Sequence, residues 1–98
     1  MQRVGKFRIK DSFKLTGRGL VVLGDFLEGK VKIGDYLPFN TGTQNVTMQI
    51  ASVEMADNIS TKEYWVGFLF VYKDEQQRNE LQVLKLQEQI VDILRDSD

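Results

Sequence analysis

The sequence predicts a single all-β domain, and three observations support this prediction. Apolar and charged residues alternate at period two in the first third of the chain, as they do in half-buried strands. Glycine-containing turns separate these alternating segments. Residues Trp65 to Tyr72 are apolar on both faces, which is typical of a buried strand. The chain has 98 residues, of which 42% are hydrophobic, and this suffices for one core over about residues 7–94.

The first predicted strand runs from Phe7 to Leu15 and ends at a tight turn. The period of two predicts an inward face of Phe7, Ile9, Phe13 and Leu15, and an outward face of Arg8, Lys10 and Lys14. Asp11 interrupts the inward face, so its carboxylate needs donors. We expect these donors to be the amides of residues 17–19 or the Arg18 guanidinium. Gly17 and Gly19 permit the positive φ of the turn.

The second predicted strand begins with four apolar residues, Leu20 to Leu23, which indicate cover on both faces. Gly24 indicates a bulge, or a bend at a barrel corner. A turn at Gly29 leads into a predicted third strand. Its two faces are Val31 with Ile33, and Lys30 with Lys32.

A turn at Gly34-Asp35 precedes a short strand in which Leu37 and Phe39 point inward. Pro38 has no N–H, so we expect it at an edge or a bulge. A loop follows over residues 40–43.

The strand from Val46 to Met55 changes its parity. Met48 and Ile50 share one face, whereas Val53 and Met55 follow the other register. One extra residue near Ala51-Ser52 restores a common face, which predicts a β-bulge there. Residues 57–63 are polar, and we expect a loop before the strand at 65–72.

The C-terminal part has two interpretations. The heptad spacing of Val83, Leu86, Ile90 and Ile93 supports one long helix. The β-forming residues 89–94 favour a short helix from about Asp74 to Gln82, followed by a strand from about Gln87 to Leu94 that closes a barrel.

The charge distribution predicts a nucleic-acid-binding face. The net charge is −1, but residues 1–35 hold eight cations and four carboxylates, and the remainder is acidic. Neighbouring strands usually pair, so six cations can merge into one patch: Arg8, Lys10, Lys14, Arg18, Lys30 and Lys32. The competing interpretation is a solvated face whose lysines discourage association between strands.

The doubly apolar strand predicts a second kind of site. One of its faces fills the core, and the other needs cover from the C-terminal segment or from a protein partner, which includes a second copy of the chain. The candidate partner-binding residues are Trp65, Leu69 and Val71.

Catalysis and cofactor binding are not expected. The chain has no cysteine and no histidine, and its carboxylates are scattered without metal-ligand spacing. Gly24 to Lys30 matches the G-x-x-x-x-G-K phosphate loop, but Val31 replaces the required hydroxyl and Asp25 and Glu28 would repel phosphate, so no nucleotide is expected. We also expect no membrane association and a cytoplasmic location, so the two N-x-S/T motifs at Asn45 and Asn58 are interpreted as chance matches.

Together these motifs resemble the second domain of translational GTPases of the elongation factor Tu type. The resemblance covers most of residues 7–72. It is carried by Gly-Arg-Gly-Leu-Val-Val-Leu-Gly at 17–24, by 29–35, and by the strands at 50–55 and 66–69. Residues 89–91 are similar to the family's closing strand, which favours the strand interpretation. The resemblance implies a six-stranded antiparallel β-barrel that is not catalytic and that contacts RNA or the ribosome. The chain has no credible phosphate loop, so we expect no GTPase activity.

Overall fold

The computed structural model describes residues 1–58 and 63–96, without the side chains of 56–58, 63 and 64. Six strands form a closed barrel in the order β1-β2-β5-β4-β3-β6, and every neighbouring pair is antiparallel. The strands are β1 (Gln2–Leu15), β2 (Gly19–Gly29), β3 (Tyr36–Asn40), β4 (Asn45–Asn58), β5 (Glu63–Val71) and β6 (Gln89–Arg95). The helix α1 (Glu75–Gln82) lies between β5 and β6. The predicted six-stranded barrel with a short helix before its closing strand is therefore confirmed.

Aromatic rings fill the centre of the barrel. The Phe7 ring lies 4.6 Å from that of Phe68 and 5.4 Å from that of Phe26, measured between centroids. Burial of each such side chain contributes roughly 1.5–3 kcal/mol. The barrel is therefore held together mainly by its interior, to which every element contributes.

A bulge in β1 was not predicted, and it reverses the faces of the strand. The register against β2 shifts between Ile9 and Asp11, so that Ser12 becomes buried. Phe13 and Leu15 are consequently 43% and 39% exposed, and the prediction that they point inward is wrong. The predicted bulge at Gly24 lies at this level, but the extra residue is in β1 instead of β2. Gly24 is required because a Cβ there would lie 1.8 Å from the Arg8 carbonyl oxygen.

The predicted third strand at residues 30–33 is wrong, because these residues form a loop. The buried Asp35 organises this loop: its carboxylate accepts the Lys32 N–H at 2.8 Å and two hydrogen bonds from Arg95, each 2.8 Å long. The ion pair ties the loop to the end of β6. The third strand of the barrel begins only at Tyr36.

Two predicted irregularities lie where the sequence indicated. The register between β4 and β5 shifts between Ile50 and Ser52, which confirms the bulge. Pro38 lies beyond the single register pair, Tyr36 and Leu94, that joins β3 to β6 in the described part of the chain. It therefore occupies an edge-like position, as predicted. The predicted loop at 57–63 is wrong at both of its ends, since β4 reaches Asn58 and β5 begins at Glu63; residues 59–62, and with them most of the motif at Asn58, lie outside the described residues.

Helix α1 begins at the predicted place. The Asp74 carboxylate accepts the Gln77 N–H at 2.8 Å and caps the helix. The interpretation of one long C-terminal helix is wrong, because the chain leaves the helix after Gln82 and forms β6 from Gln89. Among the described residues, no helix is long and apolar enough to cross a membrane.

Candidate functional site

The outer face of β1, β2 and β5 carries a continuous row of apolar side chains, which we name the apolar strip. Its members are Phe13, Leu15, Val21, Leu23, Leu69 and Val71. None of these residues belongs to the interior cluster, by which we mean the buried side chains that pack around Phe7 and Phe68 inside the barrel.

The strand register explains how the strip is assembled. Phe13 pairs with Val21 across β1 and β2, and Leu23 pairs with Gly67 across β2 and β5. Continuing this register brings Val21 beside Leu69 on the same outward face. Because Gly67 has no side chain, Leu23 can lie over it: a Cβ at Gly67 would be 3.1 Å from the Leu23 Cδ2 atom.

The strip has a buried floor and an exposed rim. Val21 and Leu69 are 6% and 4% exposed although they point outward, whereas Phe13, Leu15 and Val71 are 43%, 39% and 48% exposed. The two predicted partner-binding residues Leu69 and Val71 thus lie on the strip. The bulge in β1 turns Phe13 and Leu15 outward and so adds them to the strip. The sequence could have placed them there only if the bulge itself had been predicted.

Trp65, the third predicted residue, lies just beyond the strip. Its neighbour Val66 pairs with Gly24, one level below Leu23. The ring is partly buried, and the Lys10 ammonium nitrogen lies 5.8 Å from its centroid, within the range of a cation–π interaction. Trp65 therefore marks the boundary between the apolar strip and the charged part of the outer surface.

The C-terminal segment does not cover the strip. Leu81 and Leu86 pack in the interior cluster with Leu84 against it, and Val83 is 72% exposed. The expectation that this segment covers the second face of β5 is therefore wrong, because the segment lies across one end of the barrel.

The predicted basic patch is divided. Arg18 lies in the turn before β2, whereas Lys30 and Lys32 lie in the loop after it. The eleven residues of β2 separate these two groups by roughly 30 Å. Lys14 follows the buried Ser12 by two positions, so it lies on the opposite face of β1 from Arg8. The six predicted cations thus form three groups: Arg8 with Lys10 on the outer face of β1, Lys14 with Arg18 at the β1–β2 turn, and Lys30 with Lys32 beyond the other end of β2.

Carboxylates on neighbouring strands accompany several of the cations of β1. Arg3 donates to Glu28 at 2.9 Å, and this hydrogen bond lowers the pKa of Glu28. Lys6 pairs in register with Glu28 on one side and Asp92 on the other, and Arg8 pairs with Asp25. One oxygen of the Asp25 carboxylate is buried without a hydrogen-bond partner. The outer face of β1 below the bulge is therefore close to neutral.

Two polar anchors were missed because their partners are distant in sequence. Asp11 pairs with Lys85, not with the predicted Arg18, and hydrogen bonds from Lys85 and the Ser12 N–H lower the pKa of Asp11. The hydrogen bonds from Arg95 likewise lower the pKa of Asp35. No local pattern indicates either pairing.

The geometry gives no support to phosphate-loop chemistry at Gly24 to Lys30. This segment is strand as far as Gly29 and then enters the 30–35 loop, so no helix N-terminus follows it. Within the described residues, no three acidic side chains are grouped as metal ligands would be.

No protein-family model matches this chain, and comparisons with curated proteins and with solved structures find no significant match. The resemblance of residues 7–72 to a translational GTPase domain therefore remains a prediction from the sequence.

Proposed function

We propose that this chain is a non-catalytic binding module that docks another protein on the apolar strip. The burial of Val21 and Leu69 between the exposed side chains of Phe13, Leu15 and Val71 carries this proposal. The outward face of an antiparallel sheet is commonly polar, whereas contiguous exposed apolar side chains mark sites of association. A protein bound on the strip would bury the exposed rim side chains, whereas the floor formed by Val21 and Leu69 is already packed in the free chain.

The chemistry of the strip favours a protein over RNA. Apart from Phe13 its side chains are aliphatic, and these neither stack on bases nor form hydrogen bonds with them. The cations that could contact phosphates lie at separate places, and Arg8 pairs in register with Asp25.

The polar rim favours a different protein over a second copy. Asp11 and Glu54 lie at one level on the two sides of the strip, since Asp11 pairs with Leu23 and Glu54 pairs with Gly67. A two-fold axis along the strands would place Asp11 of one copy over Glu54 of the other. An axis across the strands would place Asp11 over Leu15. The first arrangement brings two carboxylates together, and the second covers the Asp11–Lys85 ion pair with an apolar side chain, so both are unfavourable.

Substitutions of exposed residues test the proposal without disturbing the core. Val71→Ser and Phe13→Ser shorten the rim of the strip, and Ile90→Ser is the matched control, since Ile90 is 58% exposed on the outer face of β6. A protein is first captured from a lysate with the wild-type chain and then purified. We expect calorimetry to give the same Kd of this protein for the wild type and for Ile90→Ser. The Kd should rise roughly ten-fold or more for Phe13→Ser and for Val71→Ser.

Three outcomes would overturn the proposal. The first is a captured protein whose affinity is indifferent to Phe13 and Val71 or equally sensitive to Ile90. The second is self-association of the pure chain that Val71→Ser abolishes, which would make a second copy the occupant. The third is capture of RNA alone, with affinity that falls steeply with salt.

RNA or ribosome binding is the second proposal, because Arg8 and Lys10 lie beside Trp65 on one outer surface. It predicts that Arg8→Glu with Lys10→Glu abolishes RNA binding, whereas Lys30→Glu with Lys32→Glu only weakens it. A cytoplasmic location and a relationship to the translational GTPase domain belong to this same set of proposals.

A further inference from the structure

We infer that residues 73–88, which comprise α1 and the connector to β6, form a strap that opens locally while the six strands stay closed. The strap lies across the end of the barrel that holds the β1–β2 turn. Its attachments to the barrel are of two kinds, namely fixed points that flank it and a latch that holds residues 84–86.

Side-chain hydrogen bonds fix both ends of the strap. Before it, the Tyr72 hydroxyl accepts the Leu20 N–H at 2.9 Å. After it, the Gln89 amide bonds twice to the backbone of Asn40, accepting its N–H at 2.8 Å and donating to its carbonyl at 3.0 Å. The first contact joins the end of β5 to β2, and the second joins β6 to β3. Both lie beyond the last backbone pair between those strands. Opening of the strap therefore leaves the closure of the barrel in place.

Ser12 is the latch. It is 1% exposed, its Oγ atom accepts the Leu86 N–H at 2.9 Å, and the hydroxyl donates to the Leu84 carbonyl at 3.4 Å. Lys85 adds an ion pair with Asp11 and a 3.3 Å hydrogen bond to the Ser12 carbonyl. The latch lies on β1 just beyond Ile9, where pairing with β6 ends.

Three leucines supply the remaining contacts of the strap with the core. Leu81 and Leu86 are buried, at 6% and 5% exposure, and Leu84 is partly buried against them. The helix has eight residues, and helices of this length are marginal in water without tertiary contacts. Segments with few buried apolar contacts open at lower free energy than core strands do. Leu81 and Leu86 share the interior cluster with Leu20 and Phe70, so opening exposes this end of the core.

Hydrogen–deuterium exchange on the full chain tests the inference. Wild-type amides in 75–86 should exchange at least ten-fold faster than those of Phe7 and Phe68 in the core strands. Ser12→Ala leaves the Leu86 N–H unpaired in the closed state, so exchange in 75–86 should rise roughly ten-fold further. Exchange in 75–86 should depend only weakly on added urea, whereas exchange in β4 and β5, which requires unfolding of the barrel, should depend on it steeply.

Ser52→Ala is the matched control, because its hydroxyl donates to Glu54 outside the strap; it should leave strap exchange unchanged. If Ser12→Ala fails to fold, Lys85→Met replaces it, since the Lys85 side chain is 74% exposed. This variant should accelerate strap exchange about two- to five-fold. Strap amides protected as strongly as the core strands, or strap exchange that depends on urea as steeply as exchange in β4 and β5, would overturn the inference.

Discussion

The two ends of the barrel are closed by different physical means. At one end, the loop at 30–35 is held to β6 by the buried Asp35 carboxylate and its paired contact with Arg95. At the other end, the strap is held by the neutral hydroxyl of Ser12, by the exposed ion pair between Asp11 and Lys85, and by two leucines. An ion pair with a buried carboxylate tolerates little movement, because separating the buried charge from its partner is costly. A neutral hydrogen bond and an ion pair exposed to water cost far less to break. The ion-pair end should therefore be rigid and the strap end should open.

Glycine substitutions should give the largest contrast between the ends. Gly29 has a φ of +72°, and an added Cβ would lie 2.2 Å from the Val4 carbonyl oxygen. Gly17 has a φ of +81° with nothing within 4 Å. Gly29→Ala should cost at least about 3 kcal/mol of unfolding free energy, and Gly17→Ala only about 1 kcal/mol, the cost of the φ alone. Urea denaturation measures both, and equal costs would contradict the close approach at Gly29.

Removal of Arg95 should have the next largest effect. Arg95→Met leaves the Asp35 carboxylate buried without its partner, which should cost about 2–3 kcal/mol, less than a fully buried pair because Arg95 is partly exposed. Arg3→Met is the matched control, since the Arg3–Glu28 pair is exposed. Its urea midpoint should stay close to that of the wild type. A stability of Arg95→Met close to that of Arg3→Met would show that the ion pair does not close this end.

The same pair predicts a pH dependence. Its contacts lower the pKa of Asp35 in the folded state, so they stabilise the fold above the unfolded pKa of about 4, and this stabilisation is lost as pH falls through the folded pKa. The stability difference between wild type and Arg95→Met should therefore shrink between pH 6 and pH 3. Urea midpoints at several pH values measure it, and a constant difference would contradict the assignment.

The smallest effect should come from the cap of the strap helix. Asp74→Ala removes the acceptor for the Gln77 N–H and should destabilise α1 by about 1 kcal/mol. We expect faster amide exchange in 75–82 and a fall in the free energy of unfolding of no more than this amount, the smallest in the series. Exchange in 75–82 that stays at the wild-type rate would contradict the role of Asp74 as the cap of the strap helix.

Features with a local sequence pattern were predicted well. The bulge in β4 follows from the change of parity between Ile50 and Val53, and the start of α1 follows from Asp74 before a polar helical segment. The bulge in β1 left one sign, the carboxylate of Asp11 on the predicted inward face, but Phe13 and Leu15 resume the apolar alternation of Phe7 and Ile9 and therefore hide the change of face. The change became evident only in the register against β2.

The candidate site shows the same division. Leu69 and Val71 were predicted because they lie on a strand that is apolar on both faces, but their neighbours Phe13 and Leu15 come from the reversed face of β1. The six cations were predicted to form one patch because Lys30 and Lys32 alternate with apolar residues. The Asp35–Arg95 pair keeps those residues in a loop instead.

The sequence by itself determined the all-β class of this protein, its glycine turns, the position of its helix and the period of most of its strands. The count of six strands came from the resemblance, because the periods alone also predicted a strand at 30–33. The local features depend on interactions between residues a few positions apart. The tertiary structure alone decided which side chains face outward after Ile9, and it paired Asp35 with Arg95 and Asp11 with Lys85, which lie 60 and 74 positions apart. The physical reason is that strand register and buried charge pairing are set by the closure of the barrel as a whole, and the residues they join carry no local pattern that indicates one another.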